Sequence, residues 1–271
     1  MPHRGACVST PWLLELDACD STNTWALAHL SDLAHGTAVY TKRQTAGRGQ
    51  HGRRWLSPTG VLTVSYVLDL GEPTAGAQLS LAAGLAVAHT VDDLAPGAHA
   101  TIKWPNDCYC RDRKLAGLLC EARLHKGKLR CVAGIGLNIA AEWTGDEEFG
   151  PLLVRPPIDL RELGRNDPDP MPVLTSLRNY LLEAIGLLRA GRWQGLLDQL
   201  RTRDHLLGRP LRVERLETRG GTSSLAGTGA GIDDEGRLLL ALGDGGMIAL
   251  DAGTVYLQSD DTSTASTDKA D

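Results

Sequence analysis

Long apolar runs and abundant cysteine are both missing from this sequence. Nowhere do about 18 apolar residues follow one another, the length that a membrane-spanning helix requires, and the first ten residues lack the apolar stretch of a secretory signal. The 271 residues include only six cysteines, so we expect reduced thiols rather than a disulfide framework. These absences favour a cytoplasmic protein without membrane association.

A surplus of basic residues is missing as well. Lysine and arginine number 28 against 33 aspartates and glutamates, and the resulting net charge of −5 argues against DNA binding as the main function. The eight histidines show no metal-ligand spacing. Cys108-Tyr109-Cys110 has no second cysteine pair at zinc-finger spacing, so we interpret it as structural. No Ser-His-Asp or Cys-His set stands out.

The predicted elements divide the chain into a mixed α/β part and a β-rich part. Hydrophobic periodicity predicts strands at 13–16, 37–42, 61–70, 100–104, 114–124 and 129–137, and helices at 25–30, 77–94, 173–189 and 193–203. A proline-rich connector occupies 151–172. From Arg209 onward, short strands at 211–216, 237–242 and 247–250 alternate with tight turns and predict a small barrel-like β domain. Residues 259–271 have almost no apolar side chains and are expected to be disordered.

The segment from Gln44 to Trp55 is rich in glycine and arginine and is expected to be a loop. Its glycines would let backbone amides approach an anion, and its arginines offer planar forks that match phosphate or carboxylate. No Gly-Lys-Ser/Thr follows, so the segment is not a Walker A loop. Taken alone, it favours an anion site only slightly over a solvated basic loop.

A second polar cluster is Lys103-Trp104-Pro105-Asn106-Asp107, followed by Arg113-Lys114-Leu115-Ala116-Gly117. A strand, a proline stop and a return strand would bring Lys103 and Lys114 to the same end of the sheet, where two lysines suit a polyphosphate. Asn106 and Asp107 are suited to Mg²⁺ or to a ribose hydroxyl. The alternative is a hairpin with an Asx turn and two surface lysines.

Two further segments have both a structural and a functional interpretation. Ser21, Thr22 and Asn23 can cap a helix, and a capped helix start also presents hydroxyl and N–H groups to a small polar ligand. The glycines of Gly134-Ile135-Gly136-Leu137-Asn138 indicate a strand that passes close to another backbone.

Together, and in this order, the motifs resemble the biotin–protein ligase family. They are Ser-Thr-Asn, Gln-Thr-Ala-Gly-Arg-Gly, Lys-Trp-Pro-Asn-Asp, Arg-Lys-Leu-Ala-Gly-Leu-Leu and Gly-Ile-Gly-Leu-Asn-Ile. The resemblance is strong from Leu13 to about Ala140 and continues weakly through Leu207-Gly208-Arg209-Pro210. It implies a catalytic α/β (α+β) domain with a mixed sheet and flanking helices at 1–206, and a small SH3-like β-barrel domain at 207–258.

The resemblance also implies a reaction. The family forms biotinyl-5′-AMP from biotin and ATP with Mg²⁺, and then passes the biotinyl group to one lysine of a biotin carboxyl carrier domain. The residues implied to bind biotin are Ser21, Thr22, Asn23, Gln44, Gly47, Arg48, Gly49, Gln50, Lys114 and Gly117. Those implied to contact ATP or the adenylate are Arg48, Gln50, Arg53, Trp55, Lys103, Asn106, Asp107, Lys114 and Asn138, with Mg²⁺ near Asp107 and Asn138. Lys114 and Arg48 are the implied catalytic residues, a fixed and a mobile cation that neutralise the reacting anions.

The sequence departs from the family pattern in two places, and each departure leads to a prediction. Gln50 and His51 stand where the family often has a second arginine, so we expect a weaker electrostatic hold on the adenylate. Only about a dozen residues precede the first predicted strand, too few for the helix-turn-helix of some relatives, so a ligase without DNA binding is expected. The alternatives are a lipoate or octanoate ligase or transferase and a non-catalytic biotin- or adenylate-binding regulator. A homodimer is compatible with the sequence.

Overall fold

Two sheets organise the part of the chain that the computed structural model describes, residues 10–71, 76–125, 127–143, 155–167, 169–217 and 221–258. The larger sheet has seven strands: β1 (Leu13–Leu16), β2 (Ala38–Thr41), β3 (Val61–Gly71), β4 (Thr101–Lys103), β5 (Asp107–Cys110), β6 (Arg113–His125) and β7 (Lys128–Asn138). Their order in the sheet is β1-β2-β3-β7-β6-β5-β4. Only β1 and β2 pair in parallel, so the predicted mixed sheet is confirmed.

Helices flank both faces of this sheet. They are α1 (Thr22–Ala28), α2 (Gly76–Leu94), α3 (Pro170–Arg189) and α4 (Trp193–Thr202). The even-numbered residues of β3, such as Leu62, Tyr66 and Leu68, pack into the main core with α2 and α3. Val67 points the other way and packs with Ala26 of α1. The predicted two-sided alternation of β3 is therefore confirmed, and it leaves the α1 side of the sheet as a separate, smaller layer.

The second sheet is antiparallel and follows α4. It consists of β8 (Pro210–Glu217), β9 (Gly221–Ile232), β10 (Leu238–Ala241), β11 (Met247–Leu250) and β12 (Thr254–Leu257), in the order β11-β10-β9-β8-β12. Among the described residues β11 and β12 lie at opposite ends of this order and do not pair, so the closed barrel predicted here is not observed. No described helix is long and apolar enough to cross a membrane.

Three strands were not predicted, and each has a physical reason. The long strand β9 carries Gly227 and Gly229, where a Cβ atom would lie 2.3 Å from the carbonyl oxygen of Ala241 and 2.1 Å from that of Leu206. Glycine is present at both positions because the backbones of other segments pass close by. Since glycine has a weak strand propensity, the sequence pattern did not predict β9. The other two, β5 and β12, have only four residues each. The predicted disordered tail at 259–271 lies outside the described residues.

The cysteines play structural parts in this fold. Cys108 and Cys110 point to the same side of β5 and are buried, and the Cys108 thiol donates to the carbonyl oxygen of Gly84 in α2. The five described cysteines are free thiols, and Cys7 lies outside the described residues. In the described ranges, no three His, Cys, Asp or Glu side chains meet in an arrangement that would hold a metal ion.

Candidate functional site

A pocket of about 690 Å³ lies on the α1 side of the seven-stranded sheet. Its floor is formed by β3, β6 and β7, and its walls by the start of α1, the glycine-rich loop and β12. The residues predicted from the sequence that line it are Ser21, Thr22, Asn23, Gln44, Arg48, Gly49, Gln50, Arg53, Trp55, Asn106, Asp107, Lys114, Gly117 and Asn138. The fold thus brings together segments that are more than a hundred residues apart in the chain.

Glycines shape the floor of the pocket. Gly117 of β6 and Gly136 of β7 are register partners, and the indole of Trp55 lies on both. A Cβ atom at Gly136 would lie 2.2 Å from Cε2 of Trp55, and one at Gly117 would lie 2.7 Å from Cζ3. The close approach predicted for the Gly-Ile-Gly strand is present, but at Gly136 it is made by an aromatic side chain and not by another backbone. The indole Nε1 is buried and has no described hydrogen-bond partner.

The start of α1 forms a polar end of the pocket. Ser21 is the N-cap, with its hydroxyl accepting from the backbone N–H of Thr24. The backbone N–H of Thr22 donates to Oε1 of Gln44 at 3.0 Å, which ties the helix start to the loop. The capping role and the ligand role predicted for this segment are thus compatible, because the cap places buried hydroxyls and amides at the pocket wall.

Asn23 connects this polar end to the floor. Its Oδ1 lies 2.6 Å from the hydroxyl of Ser65, and its Nδ2 donates to the carbonyl oxygen of Leu119 at 2.9 Å. Gly134 lies beneath the amide, and a Cβ atom there would be 2.2 Å from Oδ1 of Asn23. The side chain is therefore fixed by hydrogen bonds and contacts within the sheet.

Lys114 and Asp107 form an ion pair inside the pocket. Nζ of Lys114 lies 2.7 Å from Oδ1 of Asp107, and the two side chains are 20% and 17% exposed. Lys114 projects from β6 and Asp107 from the adjacent β5, where Asp107 pairs with Gly117. The same ammonium lies 5.6 Å from the centroid of the Trp55 ring. A cation that is paired yet accessible at this depth is suited to meet an incoming anion.

The guanidinium of Arg48 is already paired. Its Nη1 and Nη2 donate to the two carboxylate oxygens of Glu121 at 3.1 and 3.0 Å. The loop around it is held by backbone contacts, since the N–H of Trp55 donates to the carbonyl oxygen of Gly47 at 2.9 Å. Gly47 is a buried residue of this loop and, against the prediction, is not among the residues that line the pocket. A Cβ atom at Gly47 would lie 2.4 Å from the carbonyl oxygen of Trp55.

The residues of the Lys-Trp-Pro-Asn-Asp motif have two different structural roles. Asn106 and Asp107 line the pocket, but Lys103 does not. Nζ of Lys103 is buried and donates to the carbonyl oxygen of Val255 in β12 at 2.7 Å, and Nε1 of Trp104 donates to the carbonyl oxygen of Gly236 at 3.0 Å. The first two residues of the motif therefore attach the C-terminal sheet. Lys103 and Lys114 lie at the same end of the larger sheet, as predicted, and their charges act on each other, but Lys103 does not line the pocket.

Burial changes the acid–base behaviour of Lys103. Desolvation lowers its pKa to about 8, an effect that nearby Asp107 opposes. The ring of Tyr109, on the adjacent strand β5, makes a tilted contact with the ring of His205, with the centroids 4.5 Å apart. Burial lowers the pKa of His205 to about 4. This polar layer lies between the two sheets.

Two residues at or beside the pocket were not predicted from the sequence, Tyr256 and Glu121. Tyr256 brings β12 to the pocket, and its hydroxyl donates to Glu214 at 2.9 Å while Arg212 stacks on its ring. Glu121 lies two positions beyond Leu119 on the pocket face of β6. Neither residue stands in a glycine-rich or otherwise marked motif. For Glu121 the strand alternation from Gly117 was an available signal.

Both parts of the chain match known families. Residues 16–138 match the Biotin/lipoate A/B protein ligase family, and residues 206–258 match the Biotin protein ligase C terminal domain. The chain is 34% identical over 245 residues to the biotin–[acetyl-CoA-carboxylase] ligase of Paracoccus denitrificans, a match that covers 88% of this chain and 97% of that one. Its identity to the Mycobacterium tuberculosis protein of the same name is 36% over 247 residues, with coverage of 87% and 85%.

A solved structure agrees with these matches. The biotin protein ligase from Aquifex aeolicus in complex with biotin and ATP superposes with a TM-score of 0.74 at 27% identity, covering 91% of this chain and 98% of that one. The bifunctional ligase/repressor BirA of Escherichia coli is 33% identical over 230 residues, which are 83% of this chain and 68% of BirA. On this evidence the chain belongs to the biotin–protein ligase family.

Proposed function

We propose that this protein activates biotin with ATP to biotinyl-5′-AMP and transfers the biotinyl group to a lysine of a biotin carboxyl carrier domain. The observation that carries the proposal is the Lys114–Asp107 pair inside a single pocket whose other end is built from buried hydroxyls and amides. The names of the relatives support it, as does the complex of the Aquifex aeolicus protein with biotin and ATP.

The two ends of the pocket suit the two substrates. Ser21, Thr22, Asn23 and Gln44 offer fixed hydrogen-bonding groups for the polar end of biotin. Trp55 offers an aromatic face beside Lys114 for the adenylate, and Arg53 and Arg54 add positive charge on the loop side. Tyr256 would make the C-terminal sheet part of the nucleotide side.

The first step joins two anions. A carboxylate oxygen of biotin attacks the α-phosphorus of ATP, the bond to the bridging oxygen breaks, and pyrophosphate leaves with that electron pair. The carboxylate is already a nucleophile, so no general base is needed. Lys114 neutralises the approach of the two anions and the charge that develops on the phosphoryl oxygens. Its Nζ can exchange Asp107 for substrate oxygens without leaving the pocket.

The second step transfers the biotinyl group. The neutral amine of the acceptor lysine attacks the carbonyl carbon of the mixed anhydride, the carbon–oxygen bond breaks, and AMP leaves. The nitrogen must then lose a proton. Asp107 is the only acidic side chain among the described residues that line the pocket, and we assign it as the proton acceptor. Because the anhydride hydrolyses readily, the glycine-rich loop would serve to exclude water.

The pocket residues fit Mg²⁺ of the kind that accompanies nucleotides. Oδ1 of Asn138 is buried and has no described partner, and the carboxylate of Asp107 lies in the same pocket. One carboxylate with an amide oxygen is typical for Mg²⁺, which takes its other ligands from phosphates and water. Asp107 and Asn138 would hold the ion, whose chemistry is to neutralise phosphate charge.

The proposal includes the division of the chain into two units and the shape of the C-terminal sheet. A catalytic unit at 1–206 and a C-terminal unit at 207–258 agree with the change from the mixed sheet to the antiparallel one. We propose that the C-terminal unit is SH3-like, with an incompletely closed barrel, since strand order alone does not define its curvature. Lys103 and Trp104 would keep it in place.

The first half-reaction gives a direct test. The purified protein with Mg²⁺ and ATP is mixed with labelled pyrophosphate, and exchange of label into ATP is measured with biotin, lipoate or octanoate. Biotin-dependent exchange is expected. Exchange with lipoate or octanoate alone would assign the protein to the lipoate branch of the family, and exchange with none of the three would favour a non-catalytic binding protein.

A further inference from the structure

Glu121 joins the three elements that surround the polar end of the pocket. Its two carboxylate oxygens accept from Nη1 and Nη2 of Arg48 in the glycine-rich loop, at 3.1 and 3.0 Å. One of these oxygens also accepts from Nδ2 of Asn23 in α1, at 3.0 Å. Glu121 itself belongs to β6, so one side chain ties loop, helix and sheet together.

This arrangement changes what Arg48 can do. A planar guanidinium bound to a carboxylate through both terminal nitrogens has its charge compensated within the protein. Among the cations that line the described pocket, Arg53 and Arg54 have no described ion pair, and the Lys114 ammonium pairs with a single oxygen of Asp107 rather than through two parallel hydrogen bonds. Arg48 is thus better placed to fix the backbone of the loop than to bind a phosphate.

We propose that Glu121 is a positioning residue that holds the glycine-rich loop over the pocket through Arg48, and that it thereby slows the escape of the activated acyl-adenylate. The part concerning the adenylate rests on the proposed function. The part concerning the loop does not, because the three hydrogen bonds join side chains of the protein itself.

The size of the effect follows from exposure and geometry. The side chains of Arg48 and Glu121 are 45% and 24% exposed, and an ordinary pair at that exposure contributes little. Here the contact is bidentate, and the neutral Asn23 amide holds the carboxylate in place. We expect roughly tenfold faster loop opening when the charge is removed, a typical consequence of losing a charge-assisted hydrogen bond.

Limited trypsin digestion of the ligand-free protein tests the loop. Arg48, Arg53 and Arg54 are cleavage sites within it. Glu121→Gln keeps the shape and removes the charge, and it should be cut in the loop roughly tenfold faster than wild type. The matched control is Glu235→Gln, which removes a carboxylate that accepts from Arg237 at 3.0 Å on the turn before β10. Equal loop cleavage in wild type and Glu121→Gln would overturn the proposal.

A double-variant cycle tests whether Arg48 acts through Glu121. Biotinyl-AMP is formed on the enzyme, excess substrate is removed, and release is followed after a chase with unlabelled biotin and ATP. Glu121→Gln and Arg48→Met should each speed release roughly tenfold, and the double variant should be no faster than either. If the fold-increase in release rate of the double variant equals the product of the two single increases, Arg48 acts on the ligand directly and the proposal is overturned. If wild type forms no biotinyl-AMP, the proposed function fails, and the trypsin result still decides the role of Glu121.

Discussion

Replacing Gly136 by alanine should displace the aromatic floor of the pocket. The added Cβ atom would lie 2.2, 2.3 and 2.5 Å from Cε2, Cζ2 and Nε1 of Trp55. Ordinary contact begins at 3.4 Å, so the ring must retreat by roughly 1 Å or more, or β7 must shift. The backbone of β7 is paired on both sides, with β3 and β6, so the ring is the part that yields.

The expected cost follows from overpacking. Extra atoms in a well-packed site destabilise by about 1–3 kcal/mol, and a similar loss of adenylate binding corresponds to roughly fivefold or more in the KM for ATP. Steady-state kinetics with varied ATP and with varied biotin would separate the two ends of the pocket. The KM for biotin should change by less than the KM for ATP, because the three atoms nearest to the added Cβ all belong to Trp55, on the proposed nucleotide side.

Gly186→Ala is the matched control. Gly186 lies on an exposed position of α3, and a Cβ atom there would meet nothing within 4 Å. This change should leave both KM values unaltered and stabilise the protein by about 0.5–1 kcal/mol in urea unfolding, because alanine favours the helix. A folded Gly136→Ala protein with an unchanged KM for ATP would refute the placement of the nucleotide against Trp55.

Three other perturbations have defined outcomes. Since burial lowers the pKa of Lys103 from 10.5 to about 8, its charge destabilises the fold below that pH and ceases to do so as the pH rises towards 10.5. The unfolding free energy of wild type relative to Lys103→Met should therefore rise by about 3 kcal/mol between pH 8 and 10.5, and a flat difference would mean that Lys103 is not buried. Burial also lowers the pKa of His205 from 6.5 to about 4, so stability should be lost as the pH falls through that window, and urea titrations should show a flatter pH dependence for His205→Gln. Gln50 lines the pocket, and Gln50→Arg should slow release of biotinyl-AMP roughly tenfold in the chase assay, whereas equal retention would remove the role assigned to Gln50.

Local sequence patterns correctly predicted those features that depend only on neighbouring residues in the chain. The alternation in β3 predicted its two faces, and the apolar composition of α2 predicted its burial. The glycines at 134 and 136 indicated a close approach, although not that Asn23 and Trp55 make it. In each case the physical constraint lies within a few consecutive residues.

Long-range partners were not predictable in this way. Lys103 and Lys114 are both lysines at strand ends, but one donates to Val255, 152 residues away, and the other pairs with Asp107. Arg48 was expected to contact the phosphate of the adenylate, whereas its guanidinium is bound by Glu121, 73 residues further along the chain. Which carboxylate meets which cation depends on sheet order, and the order β3-β7-β6-β5-β4 is not encoded in any single segment.

The mass of an acceptor domain gives the most direct test of the proposed biotin transfer. The protein is incubated with biotin, ATP, Mg²⁺ and a biotin carboxyl carrier domain, and the carrier is analysed by mass spectrometry. We expect a gain of one biotinyl group, which Lys114→Ala should greatly reduce and which Lys128→Ala, at an exposed position of β7, should leave intact. A carrier that gains no mass would exclude the proposed ligase activity, and an equal gain with Lys114→Ala would exclude the role assigned to Lys114.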